Sequence, residues 1–311
     1  MSLAARRATC ETAGSPVKDL TEVLKETAAT TEASLDALLP RPAGAEARLF
    51  EAMRYAVLGG GKRLRPLLVL ASSELFGVAP GSAERVAAAI ELVHGYSLVH
   101  DDLPCMDDDD LRRGRPTVHK AFDEATAVLA GDALLTLAFE VLAAPATHED
   151  PAVRVELVQS LALAAGGQGM VGGQTIDLAA EHQSLDLDAI TRLQQLKTGA
   201  LIGFSCEAGA ILGRATGAAR QALRAYAQDL GLAFQIADDL LDAEGTAAEV
   251  GKRVGKDAAA GKATFVSLLG LEGARARAGF LSHRASQHLD LFGVRGEVLC
   301  RIAAYVVTRR S

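Results

Sequence analysis

Two stretches of this sequence set carboxylates among apolar residues, a placement that calls for a cation. The first is His100-Asp101-Asp102-Leu103-Pro104-Cys105-Met106-Asp107-Asp108-Asp109-Asp110, with six acids in ten residues at the end of an apolar run. The second is Phe234-Gln235-Ile236-Ala237-Asp238-Asp239-Leu240-Leu241-Asp242. Asp238 and Asp242 are i and i+4 and share one helix face, where unpaired like charges repel by about 0.2–0.5 kcal/mol. Leu232, Phe234, Ile236, Leu240 and Leu241 surround these acids, so the repulsion there is larger. Carboxylates without His or Cys suit Mg²⁺, which keeps several waters and takes one or two carboxylates together with substrate phosphates. The implied ligand is therefore a polyphosphate. On an unbroken helix Asp101 would face Cys105 and Asp108, but Pro104 removes a backbone donor and disturbs the last turn. Helical counting leaves the choice between Asp107 and Asp108 open.

A polyphosphate also needs cations from the protein. Gly59-Gly60-Gly61-Lys62-Arg63-Leu64-Arg65-Pro66 sets three basic side chains just before a helix, where freed backbone N–H groups and the helix dipole favour anions. It lacks the G-x-x-x-x-G-K-[ST] order of a P-loop. Arg112 and Arg113 follow the first acidic run. Lys197-Thr198 sits mid-helix in a neutral stretch, and Lys252, Lys256 and Lys262 lie in a Gly-rich loop after the second. His94 falls two turns before Asp101 on nearly the same face. Two acidic clusters with several basic sites point to two diphosphate pockets.

The elements that position these groups read as helices. Of the 311 residues, 49% are hydrophobic and 4% aromatic, with no Trp. A core of Leu, Val, Ile and Ala favours helix. Amphipathic or apolar helical segments are expected at 17–38, 46–58, 65–76, 82–103, 121–144, 151–182, 188–213, 216–243, 262–273, 274–291 and 296–309. Ser82 is the expected N-cap of the fourth, and no stretch alternates as a strand would. Gly166, Gly167, Gly169, Gly172 and Gly173 interrupt the 151–182 segment, which suggests a kink, a close contact or room for a ligand. The expected architecture is all-α: a short disordered tail at 1–15, then one helical domain over 16–311. Ala125 to Ala146 is long and apolar enough to cross a bilayer, but Asp132 and Glu140 inside it would cost about 2.5–3.5 kcal/mol each. A buried central helix is the expectation, with no membrane insertion. The net charge of −7 argues against nucleic-acid binding. Cys10, Cys105, Cys206 and Cys300 are too scattered for a disulfide framework, and no secretory h-region is present, so a cytoplasmic location is expected.

At the motif residues the sequence resembles the trans-isoprenyl diphosphate synthases, the polyprenyl synthetase family. The resemblance runs from about residue 20 onward. It rests on Gly60 to Pro66, Asp101-Asp102-x-x-x-x-Asp107, Arg112-Arg113-Gly114, Gly173-Gln174-x-x-Asp177, Lys197-Thr198-Gly199 and Gln235-x-x-Asp238-Asp239-x-x-Asp242. It implies an all-α bundle around a deep central cavity, a homodimer, and roughly two to three Mg²⁺ ions. It also implies that Asp101, Asp102 and Asp107 form the first metal motif, choosing Asp107 over Asp108, and that Asp238, Asp239 and Asp242 form the second. Lys62, Arg65, His94 and Arg113 would hold isopentenyl diphosphate. Arg112, Lys197, Thr198, Gln235, Lys252 and Lys262 would hold the allylic diphosphate, and Asp101, Asp107, Asp238 and Lys197 would carry catalysis. The two extra residues in the first motif, with the aromatic Tyr96 five positions upstream, resemble the farnesyl-producing bacterial members, with Tyr96 setting chain length. A geranylgeranyl product is the alternative. A non-catalytic regulatory subunit would have lost aspartates that are all present here. A terpene cyclase would lack the paired second motif and the Gly-Gly-Lys-Arg-x-Arg segment.

Overall fold

The computed structural model describes residues 19–180, 185–244 and 264–309. The expected tail at 1–15, and Lys252, Lys256 and Lys262, lie outside the described residues. The helices are α1 (Leu20–Leu38), α2 (Ala47–Val57), α3 (Leu64–Glu74), α4 (Pro80–Asp101), α5 (Val118–Ala121), α6 (Glu124–Ala143), α7 (Pro151–Ala165), α8 (Met170–Ala179), α9 (Leu187–Gln194), α10 (Ala200–Leu212), α11 (Gly217–Glu244), α12 (Phe265–His288) and α13 (Glu297–Thr308). α4 is the centre of the first half. Its buried residues, Ala83 to Val99, cover all sides of the helix, as expected of one surrounded by neighbours. It packs against α3 and α6, while α10, also buried almost throughout, lies against α3, α7 and α11. α11 and α12 form the largest helix pair of the second half.

Several local expectations are corrected. α4 starts at Pro80, not at a Ser82 cap; Ala79 holds the cap position with an extended ψ of 132°. Proline's fixed φ suits the first turn, so it sets the start ahead of Ser82. A two-residue antiparallel ribbon, β1 (Leu111–Arg112) with β2 (Arg115–Pro116), appears where no strand was expected. It is too short to show periodicity, and Arg113 and Gly114 turn it with φ of 52° and 74°, the paired positive φ of a type I′ turn. The 151–182 segment is two helices separated at Gly166–Gly169, and 188–213 is divided by a π-helical segment at Gln195–Gly199. The break expected between 262–273 and 274–291 falls inside α12 at Gly270, whose φ of 69° and ψ of 166° are not helical. α6 is not central. Ala127, Ala130, Leu134, Ala138, Val141 and Leu142 face the core, while Val128 and Leu129 are 41% and 57% exposed.

Close helix approach depends on Gly209. A Cβ there would meet the Ser72 carbonyl carbon and the Ser73 nitrogen of α3 at 2.3 Å. Backbone cannot move aside as a side chain can, so Gly209→Ala should destabilise the fold by about 1–3 kcal/mol. A urea midpoint equal to wild type would show that this glycine does not set the α3–α10 spacing.

Candidate active site

α4 ends at Asp101, and the chain then folds back on itself. The Asp107 N–H donates to the Asp101 carbonyl (2.8 Å), and Asp109 N–H to that of Asp102 (3.2 Å). This return brings Asp107 to Asp101. Burial pushes the Asp101 carboxyl up to about 6, opposed by nearby Lys197 and Arg112 and reinforced by Asp107 and Asp102. Of Asp107 and Asp108, Asp107 is the one that acts on Asp101. Asp102 has a different setting. It is 2% exposed, and Arg112 grips it through Nε (2.8 and 2.9 Å) and Nη2 (2.6 Å). That pair ties the ribbon to the end of α4.

The basic loop and the ribbon meet beside this acid. The Arg113 guanidinium donates to the Gly60 carbonyl. A Cβ on Gly61 would strike that guanidinium at 2.6–2.8 Å, and Gly61 has a φ of 137°. The positive φ favours glycine here, and a larger residue would also displace that guanidinium. Beneath the loop, Arg63 adopts a left-handed φ of 47°, which turns its side chain inward onto Glu91 (2.5 Å) and the Val57 carbonyl (2.5 Å). Sequence reasoning gave neither Arg63 nor Glu91 a role, and a lone Glu on an apolar helix was the signal for the pair. Glu91 also acts on Arg65 and Arg113, so it is the counter-anion of a group of guanidiniums. Burial holds Arg65 below its usual range, and among the described residues its buried Nε has no hydrogen-bond partner. His94 lies among Arg65, Arg113, Arg112 and Arg63; burial and these cations hold its imidazole well below the usual range. Lys62 is exposed at the loop's outer edge.

On the facing side, Lys197-Thr198-Gly199 lies in the π-helical segment, a distortion frequent at functional sites. α8 presses on it so closely that a Cβ on Gly173 would meet the Lys197 nitrogen at 2.2 Å. Lys197 Nζ donates to Asp177 Oδ2 at 2.6 Å. Gln174 buries both amide atoms without a hydrogen-bond partner among the described residues. The Gly-Gln-x-x-Asp spacing signalled both residues, but no role was assigned to them. The Thr198 hydroxyl reaches Gln235 Oε1 (3.2 Å), and Gln235 Nε2 reaches Asp239 Oδ1 (3.0 Å). Asp239 Oδ2 accepts the Phe265 N–H that opens α12 (2.8 Å). Asp239 is thus a buried fastening between α11 and α12, while Asp238 and Asp242 share the other face of α11. Asp238 pairs with Arg309 at 2.7 Å, a residue that no sequence motif marked.

The motifs converge: Asp101 feels Lys197, and Arg65 feels Asp238. Among the described residues no three His, Cys, Asp or Glu side chains make a ready metal cage. Mg²⁺ does not require one, since it completes its shell with water and phosphate oxygens. The all-carboxylate set expected to hold the ion, Asp101, Asp102, Asp107, Asp238, Asp239 and Asp242, fits that chemistry. Of these, Asp102 is bonded to Arg112 and Asp239 to the Phe265 N–H.

The profile of the polyprenyl synthetase family matches residues 46–289. A farnesyl diphosphate synthase of Geobacillus stearothermophilus is 44% identical over 293 residues, covering 93% of this chain and 97% of that protein. A chloroplastic geranylgeranyl pyrophosphate synthase of Capsicum annuum is 44% identical over 263 residues, covering 84% and 71%. The crystal structure of an FPP/GFPP synthase from Zymomonas mobilis superposes with a TM-score of 0.85 at 56% identity, covering 93% and 99%.

Proposed function

The chain belongs to the polyprenyl synthetase family, and from that premise we propose that it is a Mg²⁺-dependent prenyltransferase. It condenses isopentenyl diphosphate head-to-tail with dimethylallyl and then geranyl diphosphate to give farnesyl diphosphate. The observation that carries this reading is the meeting of both acidic motifs with Lys197, Arg65 and Arg113 around one site. Incubating the protein with isopentenyl diphosphate and dimethylallyl diphosphate, and measuring the products' chain length, tests it. No condensation in the presence of Mg²⁺ would reject the reading.

The reaction follows from charge. The allylic C–O bond ionises to a carbocation and diphosphate. Bound Mg²⁺ supplies Lewis-acid neutralisation of that leaving group. Lys197, Thr198 and Gln235 hold the allylic diphosphate, with Arg112, Lys252 and Lys262 in the same role, and the positive charge of the lysines and arginine makes the dominant contribution to lowering the barrier. Lys62, Arg65, Arg113 and His94 bind isopentenyl diphosphate and aim its double bond at the cation. The proton lost from the condensed product passes to the released diphosphate, so no protein base is assigned. Buried apolar residues of α4 and its neighbours keep water from the cation.

The two diphosphate sites separate kinetically. Arg113→Ala should mainly raise KM for isopentenyl diphosphate, and Lys197→Ala should mainly impair use of the allylic partner. Initial rates with each substrate varied in turn check this, and equal effects on both substrates would defeat the partition. A homodimer is the proposed assembly, supported by the exposed Val128 and Leu129 on α6, and light scattering on the purified protein reads it directly. Cys105, Cys206 and Cys300 are free thiols, which suits the reducing cytoplasm we assign.

A further inference from the structure

Arg309 follows the last turn of α13 and reaches the second acidic motif. Its side chain is 2% exposed, against 36% for Asp238. Nη2 donates to Asp238 Oδ1 at 2.7 Å, and the same nitrogen lies 3.5 Å from the Phe234 carbonyl oxygen. The guanidinium lies over the Phe234 ring, 4.0 Å from its centroid, a cation–π contact one turn before Asp238. Nε is buried and without a hydrogen-bond partner among the described residues. Ring, carbonyl and carboxylate therefore hold this cation inside the protein, against the face that Asp238 shares with Asp242.

A guanidinium so placed answers the like-charge repulsion between the two acids, and it opposes any second cation on Asp238. A divalent ion there would stand beside a desolvated positive charge. One oxygen of Asp238 is also already committed. A diphosphate changes the balance, because its negative charges attract metal and guanidinium together. We propose that Arg309 is a resident counter-cation that keeps the second acidic motif weak for metal until a diphosphate is bound, so that metal loading follows substrate. This rests on the reading of Asp238 as a metal ligand.

The test measures metal binding rather than turnover. Full-length wild type, Arg309→Gln, Arg309→Lys and Asp238→Asn are titrated with Mn²⁺, with free ion counted by electron paramagnetic resonance. The titration is run without and then with inorganic diphosphate, after circular dichroism confirms each fold. Glutamine keeps a hydrogen-bonding side chain, which guards against loss of folding. Without diphosphate, Arg309→Gln should bind Mn²⁺ about tenfold more tightly than wild type, and Arg309→Lys should match wild type. With diphosphate the gap should narrow. Unchanged or weaker binding in Arg309→Gln without diphosphate, while Asp238→Asn loses affinity with it, would overturn the counter-cation and leave Arg309 as a support for Asp238. With diphosphate present, wild-type affinity in Asp238→Asn would remove the metal reading of Asp238, and the counter-cation with it.

Discussion

Asp101→Asn will cut turnover by about 10²–10³-fold or more while the helical fold survives, and Asp238→Asn will do the same. The magnitude is that of losing a preorganised stabiliser of transition-state charge; here one acid from each metal-binding pair is neutralised. The two variants should differ in stability. Asp101 is half-buried, and its carboxyl is pushed up to about 6 by burial and by Asp107 and Asp102. The folded protein thus holds a proton there more tightly than the unfolded chain, whose carboxyl stays at 3.8. More protons on the folded state mean that stability falls as pH rises through this interval. Asparagine carries no such charge, so Asp101→Asn without metal should melt no lower than wild type at pH 7 and should lose that pH dependence. Asp238→Asn instead deprives the buried Arg309 of its carboxylate and should melt lower. Near-normal turnover in Mg²⁺ by either variant would reject the two-motif mechanism. A lowered melting temperature in Asp101→Asn would show that its carboxylate supports the fold.

The motifs themselves were legible because their chemistry is carried by residue type over short spacing. Asp101 with Asp107, Asp238 with Asp242, and the Gly-Gly-Lys-Arg-x-Arg loop each lie within a few turns of chain. The helices were legible for a similar reason, since 3.6-residue periodicity is local. What stayed hidden depends on partners distant in sequence. Nothing near Asp102 or Asp239 distinguishes them from the other acids. Only the folded chain shows Arg112 on one and the Phe265 N–H on the other. Arg309 lies 71 residues from Asp238 and has no motif around it. Likewise, the π-helical segment at Lys197 packs closely against Gly173 on α8 and Gly231 on α11, contacts that its own sequence does not show. The sequence of α6 suggests a central helix because its apolar run is nearly continuous. Hydropathy cannot say that one side of such a helix faces outward, as Val128 and Leu129 do.

Tyr96→Ala should shift the product from C15 toward C20 and beyond while the first condensation stays active. Asp101 marks the diphosphate end of α4, and Tyr96 lies five residues earlier, about 7.5 Å along the axis at 1.5 Å per residue. It is turned about 140° from Asp101, so the helix must cross the tunnel or the ring must reach round. The ring is buried, 6% exposed, and its hydroxyl is pushed up to about 12 by burial and by the Asp101 charge. It therefore remains within electrostatic reach of the metal-binding acid. Its edge packs on His100, with ring centroids 5.7 Å apart at 80°. His100 is fixed in turn by its Nε2 contact with the Val128 carbonyl at 3.1 Å and by Gly131, where a Cβ would fall 2.1 Å from that nitrogen. A tail meeting Tyr96 thus meets a ring with no room to retreat toward α6. Alanine removes the obstacle but leaves His100, so the pocket deepens by the volume of the phenol. The lost packing costs about 3 kcal/mol, and Tyr96→Leu, with a smaller cavity, provides a better-folded intermediate that should lengthen products less. Chromatography of the dephosphorylated alcohols reads the distribution. An active Tyr96→Ala enzyme that still stops at C15 would reject the ring as the floor, and a wild type already making C20 would reject the farnesyl reading together with it.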